Sequence, residues 1–371
     1  MSKAKDIAMN ITVNLCRCLL AVTFLFSGFV KANDPQGMQY KLQDYLAAWE
    51  VTMPDIVLLI AAISIAFFEF TLGAYLALGR RRRRASMIAL IFMAVMTILT
   101  IYIAIYNPVT DCGCFGDAII LTNTQTLLKN IVLLMAAIVT ARHPMRMTQL
   151  MPSSIDWIVT TIVMVGILAY AAYSLYALPP IDFRPYKVGT NLAEALGGGS
   201  NLDFKVTIVY EKDGEQIELS IDDPDPDSTW TYVETRREGP TDIENRIINL
   251  YIEDCGDDIT TDIITPEGDL YLLIAPDLKK ADQSAISRIN EIYDQTNEHE
   301  NTDFYCITAS PAEVKEWWID YTGAEYIIYD SEERMLKTIV RSNPGLVHIH
   351  DGIIAHKWSC WNLPEKLPSA E

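Results

Sequence analysis

Two cysteines stand one residue apart in the stretch Asp111-Cys112-Gly113-Cys114-Phe115-Gly116-Asp117. The glycine between them lets the backbone fold tightly. A bridge across a single residue closes a small strained ring, and strain makes a disulfide more oxidising and more readily reduced. Three uses are open to such a pair: dithiol–disulfide exchange, a static loop disulfide, or half of a metal site. A metal would need two further ligands from the chain. Asp111 and Asp117 are hard oxygen donors, poorly matched to the metals that thiolates prefer, so no metal is expected. Charged groups inside apolar stretches form a second set of candidates. Such groups are costly at bilayer depth and are functional by default. Glu69 lies in Phe67-Phe68-Glu69-Phe70, and Arg17 lies between Cys16 and Cys18. Counted from the inner ends of their stretches, Arg17 sits at about 9 Å and Glu69 at about 13 Å, at 1.5 Å per helical residue. They are therefore expected to pair, either as an ion pair pinning two helices or as a proton-relay or quinone-headgroup site. Lys129 can snorkel to the outer surface or bias the nearby thiols toward thiolate.

The other five cysteines read differently. Side chains two positions apart on a helix differ by about 200° and cannot bridge. Cys16 and Cys18 are thus expected as small apolar core residues. Cys306, in the apolar run 304–307, is expected to be buried, and Cys255 and Cys360 to lie on loops. An odd number of cysteines there leaves at least one free thiol. Cys255 or Cys360 is a candidate to exchange with the Cys112/Cys114 pair.

The elements that position these groups are long apolar stretches. A membrane-spanning helix needs roughly 20 apolar residues. Residues 11–30, 56–78, 85–106, 126–141 (with 123–125 as a polar first turn) and 155–178 qualify or come close. Five consecutive arginines, Arg80 to Arg84, separate the second stretch from the third. Under the positive-inside rule that loop is cytoplasmic. Alternation then puts the amino terminus and 142–146 inside. The segment 31–55, the Cys-Gly-Cys loop and the carboxy-terminal half fall outside. Residues 11–30 have no cleavage-like site after them and are not expected to be removed.

The two halves differ sharply in charge. Residues 1–178 carry a net charge of +4 and residues 179–371 a net charge of −23. Acidity of that size argues against nucleic acid or anionic lipid as a partner of the second half. A solvated surface, or a basic protein or cation partner, fits it.

Several motifs carry a family resemblance. Ser27-Gly28-Phe29-Val30-Lys31, followed by Asp34-Pro35, Lys41 and Asp44-Tyr45, resembles the DoxX/MauE family of small membrane proteins. So do Glu69 with Gly73, and Cys112-Gly113-Cys114-Phe115-Gly116-Asp117 followed by Leu121-Thr122-Asn123 and Lys129-Asn130. The resemblance covers roughly residues 8–142. It implies an all-α four-helix membrane bundle similar to quinone-linked disulfide oxidoreductases. The family's redox roles are quinol oxidation in one group and maturation of methylamine dehydrogenase in another. The fifth helix and the acidic half go beyond its small members.

In the second half, Pro179-Pro180 ends the fifth helix and 195–201 reads as a glycine-rich link. A hairpin is expected over 205–210 and 217–221 around Asp213-Gly214, followed by an acidic turn at 222–228 and strands at 230–235 and 246–253. From Asp269 the rhythm is strand, helix, strand. Strands are expected at 270–275, 304–308, 326–329, 346–349 and 353–358, and a helix at 282–296. A second helix should open at Ser310 as N-cap with Glu313 in a capping box. This order resembles the α/β thioredoxin fold, with Asn343-Pro344-Gly345 where that family carries its cis-proline. Where it carries Cys-x-x-Cys, this chain reads Ala275-Pro276-Asp277-Leu278-Lys279-Lys280. A surface beside Pro344 is then the feature left for substrate docking.

The expected organisation is a DoxX/MauE-like membrane domain (1–150), a fifth transmembrane helix (151–180), a β-rich connection (181–265) and a thioredoxin-like domain without Cys-x-x-Cys (266–371). The expected protein is a multi-pass inner-membrane one with a cytoplasmic amino terminus and a periplasmic carboxy-terminal domain. Its surroundings are the lipid bilayer and a periplasmic or envelope protein partner. It either exchanges electrons through Cys112 and Cys114, with a quinone as the possible cofactor, or acts as a non-catalytic scaffold.

Overall fold

The structure is a computed structural model. It describes residues 3–107, 112–150, 155–197, 205–212, 215–220, 231–238, 250–264 and 267–368. The chain divides into two compact units, Met1–Arg184 and Pro185–Glu371.

The first unit is helical: α1 (Lys3–Asn33), α2 (Pro35–Ala48), α3 (Asp55–Leu78), α4 (Arg82–Tyr106), α5 (Asn123–Arg142) and α6 (Asp156–Ala177). All five expected apolar helices form, as α1, α3, α4, α5 and α6, and each is long and apolar enough to cross a membrane. The segment read as the loop 31–55 contains α2 instead. Asp34 caps it by accepting from the Gly37 amide at 2.8 Å, and Pro35 sits at N1, where its missing N–H costs nothing. Thr122 and Gln125 form a reciprocal capping box at the start of α5. Gly79, in the left-handed region, ends α3.

Small residues set the helix packing, as expected in lipid, where close backbone approach replaces the hydrophobic drive. A Cβ on Gly28 would lie 2.4 Å from the Phe70 amide nitrogen, and one on Gly73 2.6 Å from that of Leu25. α1 and α3 therefore touch backbone to backbone. Leu20, Phe24, Leu72, Leu76, Ala89, Met93, Leu133 and Ala137 fill the centre of the bundle. The outer faces are greasy: Leu15, Val22, Ile91, Val95, Ile98 and Leu128 are exposed. α6 packs through Ile167 and Ala171 against Ala32 and Ala66. Its Tyr170 stacks on Phe29 and donates to Asn33 Oδ1 at 2.8 Å. Cys16 is half-buried against the bundle, whereas Cys18 is exposed. The core expectation fails for Cys18 because its face of α1 points outward.

The second unit begins with α7 (Leu192–Gly197) and a three-stranded antiparallel sheet of order β2-β1-β3. Its strands are β1 (Lys205–Lys212), β2 (Glu215–Ser220) and β3 (Thr231–Glu238). Lys212 opposite Glu215 leaves Asp213-Gly214 as the connection; that turn lies outside the described residues. Of the link read at 195–201, residues 195–197 belong to α7 and the rest lies outside the described residues, as does the turn at 222–228. Of the strand read at 246–253, residues 246–249 lie outside them, 250–252 are not a strand, and only Glu253 is in one.

β4 (Glu253–Asp254), β5 (Asp257–Asp258), α8 (Thr260–Ile264), β6 (Asp269–Ala275), α9 (Ile286–Asn297), β7 (Thr302–Thr308), α10 (Ala312–Thr322), β8 (Ile327–Asp330), α11 (Glu333–Ile339), β9 (Gly345–His350) and β10 (Ile353–Ser359) complete it. Seven strands form one sheet of order β10-β9-β6-β7-β8-β4-β5. β6 and β7 pair parallel, β7 and β8 parallel, and β9 antiparallel to both β6 and β10. Six consecutive residues of β6, from Leu270 on, are buried, the near-continuous apolar run of a strand covered on both faces. Tyr271, Leu273, Cys306, Ile289, Val314 and Trp318 share one core. α10 starts one residue later than expected: Pro311 is its N-cap and makes no side-chain cap. Ser310 instead accepts from the Leu278 amide at 2.9 Å, which removes it from capping.

Candidate functional site

Cys112 and Cys114 lie between α4 and α5 with their sulfurs 2.8 Å apart, within easy reach of a bond of about 2.05 Å. Gly113 between them has φ +64°, and Gly116 closes the turn by donating its amide to the Gly113 carbonyl at 3.1 Å. Cys112 is buried and Cys114 half-buried. The Tyr45 hydroxyl of α2 donates to the Cys112 carbonyl at 3.0 Å. The Lys129 ammonium of α5 sits 4.2 Å above the Phe115 ring.

Beneath the loop is a buried polar cluster. Lys31 of α1 and Glu69 of α3 form an ion pair at 2.7 Å, both side chains almost fully buried. The three ammonium donors of Lys31 go to Glu69 Oε2, Ser27 Oγ and the Cys114 carbonyl, at 2.7, 2.7 and 2.9 Å. Ser27 Oγ is itself 2.7 Å from both Glu69 Oε2 and the Cys114 carbonyl. Its single proton serves one of them at a time. An ion pair between two helices thus also grips the backbone of a cysteine.

The expected Arg17–Glu69 pair is not formed. Arg17 donates to the Thr148 carbonyl at the other end of the bundle. The depth count started α1 at Ile11, but the helix begins at Lys3. Arg17 is level with Gly79, where α3 ends, since a Cβ there would sit 3.1 Å from its guanidinium. Glu69, three turns back along α3, meets Lys31 instead.

The thiols titrate apart. The hydrogen bond from the Cys112 thiol draws the Cys114 thiol below its usual range against the effect of burial, and Lys129 and Lys31 pull the same way. Cys112 is pushed up, first by retaining the proton it donates to Cys114 and then by burial. The dithiol form thus carries its charge on Cys114. Among the described residues no three His, Cys, Asp or Glu side chains gather as a metal site would require; Asp111 lies outside them. A small open cleft adjoins the loop, lined by Lys31, Met38, Lys41, Gly113, Asp117 and Phe183 among others.

Residues 9–142 match the family model of the methylamine utilisation protein MauE. This stretch, most of α1 and all of α2 to α5, is MauE-like; α6 lies beyond it. The MauE-like segment holds Ser27, Lys31, Tyr45, Glu69, the cysteine pair and Lys129, and together with the five spans it makes the chain a multi-pass membrane protein. Residues 204–238 match a domain of unknown function, DUF8463. No curated protein matches the chain.

Ser27 and Lys31 carried no functional role in the sequence reading, although their spacing of four puts them on one helix face. The signal was the continuation of α1 past Val30 to Asn33.

In the second unit, the Asn343–Pro344 peptide is cis. The Asn343 side-chain amide donates to the Asp277 carbonyl at 2.7 Å, and the Asp282 amide to the Asn343 carbonyl at 2.9 Å. The Pro344 turn is thereby fastened to the segment 275–282. Cys360, half-buried, donates its amide to Ser342 Oγ at 3.0 Å, and burial pushes its thiol up. Cys306 is fully buried and Cys255 exposed in the turn between β4 and β5.

Proposed function

We propose that Cys112 and Cys114 are the redox pair of an inner-membrane thiol–disulfide exchange protein that oxidises a partner on the outer side of the membrane. The observation that carries this reading is the position of the two sulfurs at 2.8 Å on a loop whose backbone is clamped by Lys31, Ser27 and Tyr45. The partner's dithiol attacks the Cys112–Cys114 bond. Two electrons and two protons pass to the loop, and the partner leaves as a disulfide. Cys114 is the better leaving thiolate, since Lys129 and Lys31 favour its charge and a lower pKa leaves faster. Re-oxidation must remove the two electrons and two protons. A quinone supplies that chemistry when bound. A quinone headgroup would lie in the cleft beside Gly113, which is lined by the apolar faces of Met38 and Phe183 and by Lys41. Lys31, Glu69 and Lys129 are the charged groups that act on Cys114 and are the candidates to hold charge and protons beside the cysteine pair.

The arginine string supports a topology in which the loop and the acidic half share one outer compartment. The MauE match adds a tie to methylamine utilisation. The second half reads as a thioredoxin-like docking module. The strand order β10-β9-β6-β7 with two helices between β6 and β8, and the proline turn at 343–344, support this.

The thiol asymmetry gives a pH test. In the intact protein Cys114 should be alkylated at lower pH than an ordinary thiol, because the thiolate is the nucleophile. Cys112→Ala removes the donor, so the rate profile of Cys114 should move to higher pH; Lys129→Met should move it the same way by less. A profile unmoved by Cys112→Ala would refute the assigned hydrogen bond. For the function itself, alkylation-shift assays should find the pair cycling with respiratory state. A Cys112→Ser/Cys114→Ser protein with full activity in a deletion strain would eliminate redox exchange.

One observation favours a scaffold reading instead: segment 275–280 has no thiol, and its amides are already engaged by Asp277 and Ser310. On that reading, crosslinking recovers an envelope partner whose capture depends on residues 200–371 and not on either cysteine.

A further inference from the structure

Arg17 is only 5% exposed, on a membrane-spanning helix, yet among the described residues no carboxylate lies in ion-pair range of it. Its terminal nitrogen donates to the Thr148 carbonyl, and its Nε is buried with no partner. Gly79, at φ +67°, brings the α3–α4 turn directly against it. The acid of this end, Asp6, is taken by Arg146 at 3.0 Å, and Arg82 is spent on the Met147 carbonyl at 2.7 Å. Arg81 on the turn and Arg83 and Arg84 in the first turn of α4 remain exposed. In sequence, the segments 3–17, 79–84 and 142–150 hold ten Lys and Arg against one acid, Asp6. A buried guanidinium without a counter-charge is strongly disfavoured. The like charges of the turn add repulsion, and they sit at the start of α4, where the helix dipole opposes cations. An anion from outside the chain relieves all three, and a planar guanidinium suits a phosphate.

We propose that this end of the bundle binds the phosphate headgroup of an anionic phospholipid, with Arg17 as the buried donor and Arg83 and Arg84 as the outer ones. The site lies where helices leave the hydrocarbon, so a lipid can seat its chains on the greasy faces of α3 and α4 while its phosphate meets the arginines. The proposal is independent of the redox reading and rests only on the membrane location.

The test uses the full chain in phosphatidylcholine nanodiscs. Replacing part of the lipid with phosphatidylglycerol should raise the melting temperature saturably, and native mass spectrometry should retain phosphatidylglycerol on the protein. Inorganic phosphate at the same concentration should do neither. Arg83→Gln/Arg84→Gln, at exposed positions that leave the packing intact, should weaken phosphatidylglycerol binding on the order of tenfold or more. Arg17→Gln should weaken it too; if that variant fails to fold, the outer pair still decides. Equal response to phosphatidylcholine overturns the site, equal response to inorganic phosphate overturns the lipid as its occupant, and unchanged binding in the double variant overturns the assigned donors.

Discussion

Glu69→Leu should destabilise the membrane bundle by about 3–5 kcal/mol, the usual cost of removing one partner from a buried ion pair. Lys31 would be left charged and almost fully buried, with only Ser27 and the Cys114 carbonyl as partners. Denaturation of the detergent-solubilised protein, compared with the parent, reads this directly. The double variant Lys31→Met/Glu69→Leu should recover most of the loss, because replacing both charges with apolar side chains is often neutral. The recovery should not extend to the loop. Glu69 fixes Lys31 and Ser27, and these hold the Cys114 carbonyl. Losing that anchor in either variant should therefore make Cys114 alkylate faster than in the parent, while only the single variant is unstable. If the double variant restores slow alkylation as well, the cluster is a helix staple with no hold on the cysteine loop.

This separation of stability from loop control shows what the sequence could and could not carry. Apolar length located all five long helices, because twenty-odd apolar residues leave few other options in a bilayer. The Cys-Gly-Cys loop and Glu69 were equally visible as a chemical pair and a charge in grease. Their partners were not. Which cation meets Glu69 depends on the offset between α1 and α3, and that offset is set by Gly28 and Gly73, whose contacts are backbone atoms of the facing helix. No periodicity encodes that offset. The true start of α1 was also hidden, since Lys3–Asn10 is polar enough to read as a tail, although it continues the helix for two turns. Ser310 shows the same limit on a smaller scale. A capping signature competes with any other donor within reach, and the Leu278 amide, distant in sequence, wins. In the second unit the strands from β6 to β10 were legible because each is a short apolar or alternating run between turn residues. α2 leaves no apolar signal because its mean hydropathy is low, and its start is marked only by the cap Asp34-Pro35.

If the offset is the controlling variable, one methyl group should be enough to disturb the site. Gly28→Ala places a Cβ 2.4 Å from the Phe70 amide nitrogen and 2.8 Å from the Ala66 carbonyl oxygen. Both are backbone atoms inside a helix, so neither can swing aside as a side chain would, and α1 and α3 must part or slide. Overpacking of a side-chain core costs about 1–3 kcal/mol, and a backbone obstruction should lie at or above the top of that range. The chemical consequence should be larger than the thermal one. Ser27 and Lys31, one before and three after the substituted position, meet Glu69 at 2.7 Å, a distance that a helix shift of even one ångström destroys. Gly28→Ala should therefore reproduce the fast Cys114 alkylation of Glu69→Leu with every polar residue of the cluster intact. Gly166→Ala on α6, where a Cβ meets nothing within 4 Å, is the matched control and should leave both stability and alkylation unchanged. Equal alkylation rates in the two glycine variants would mean that the loop is held by its own turn and by Tyr45, and that the close approach of α1 and α3 serves packing alone.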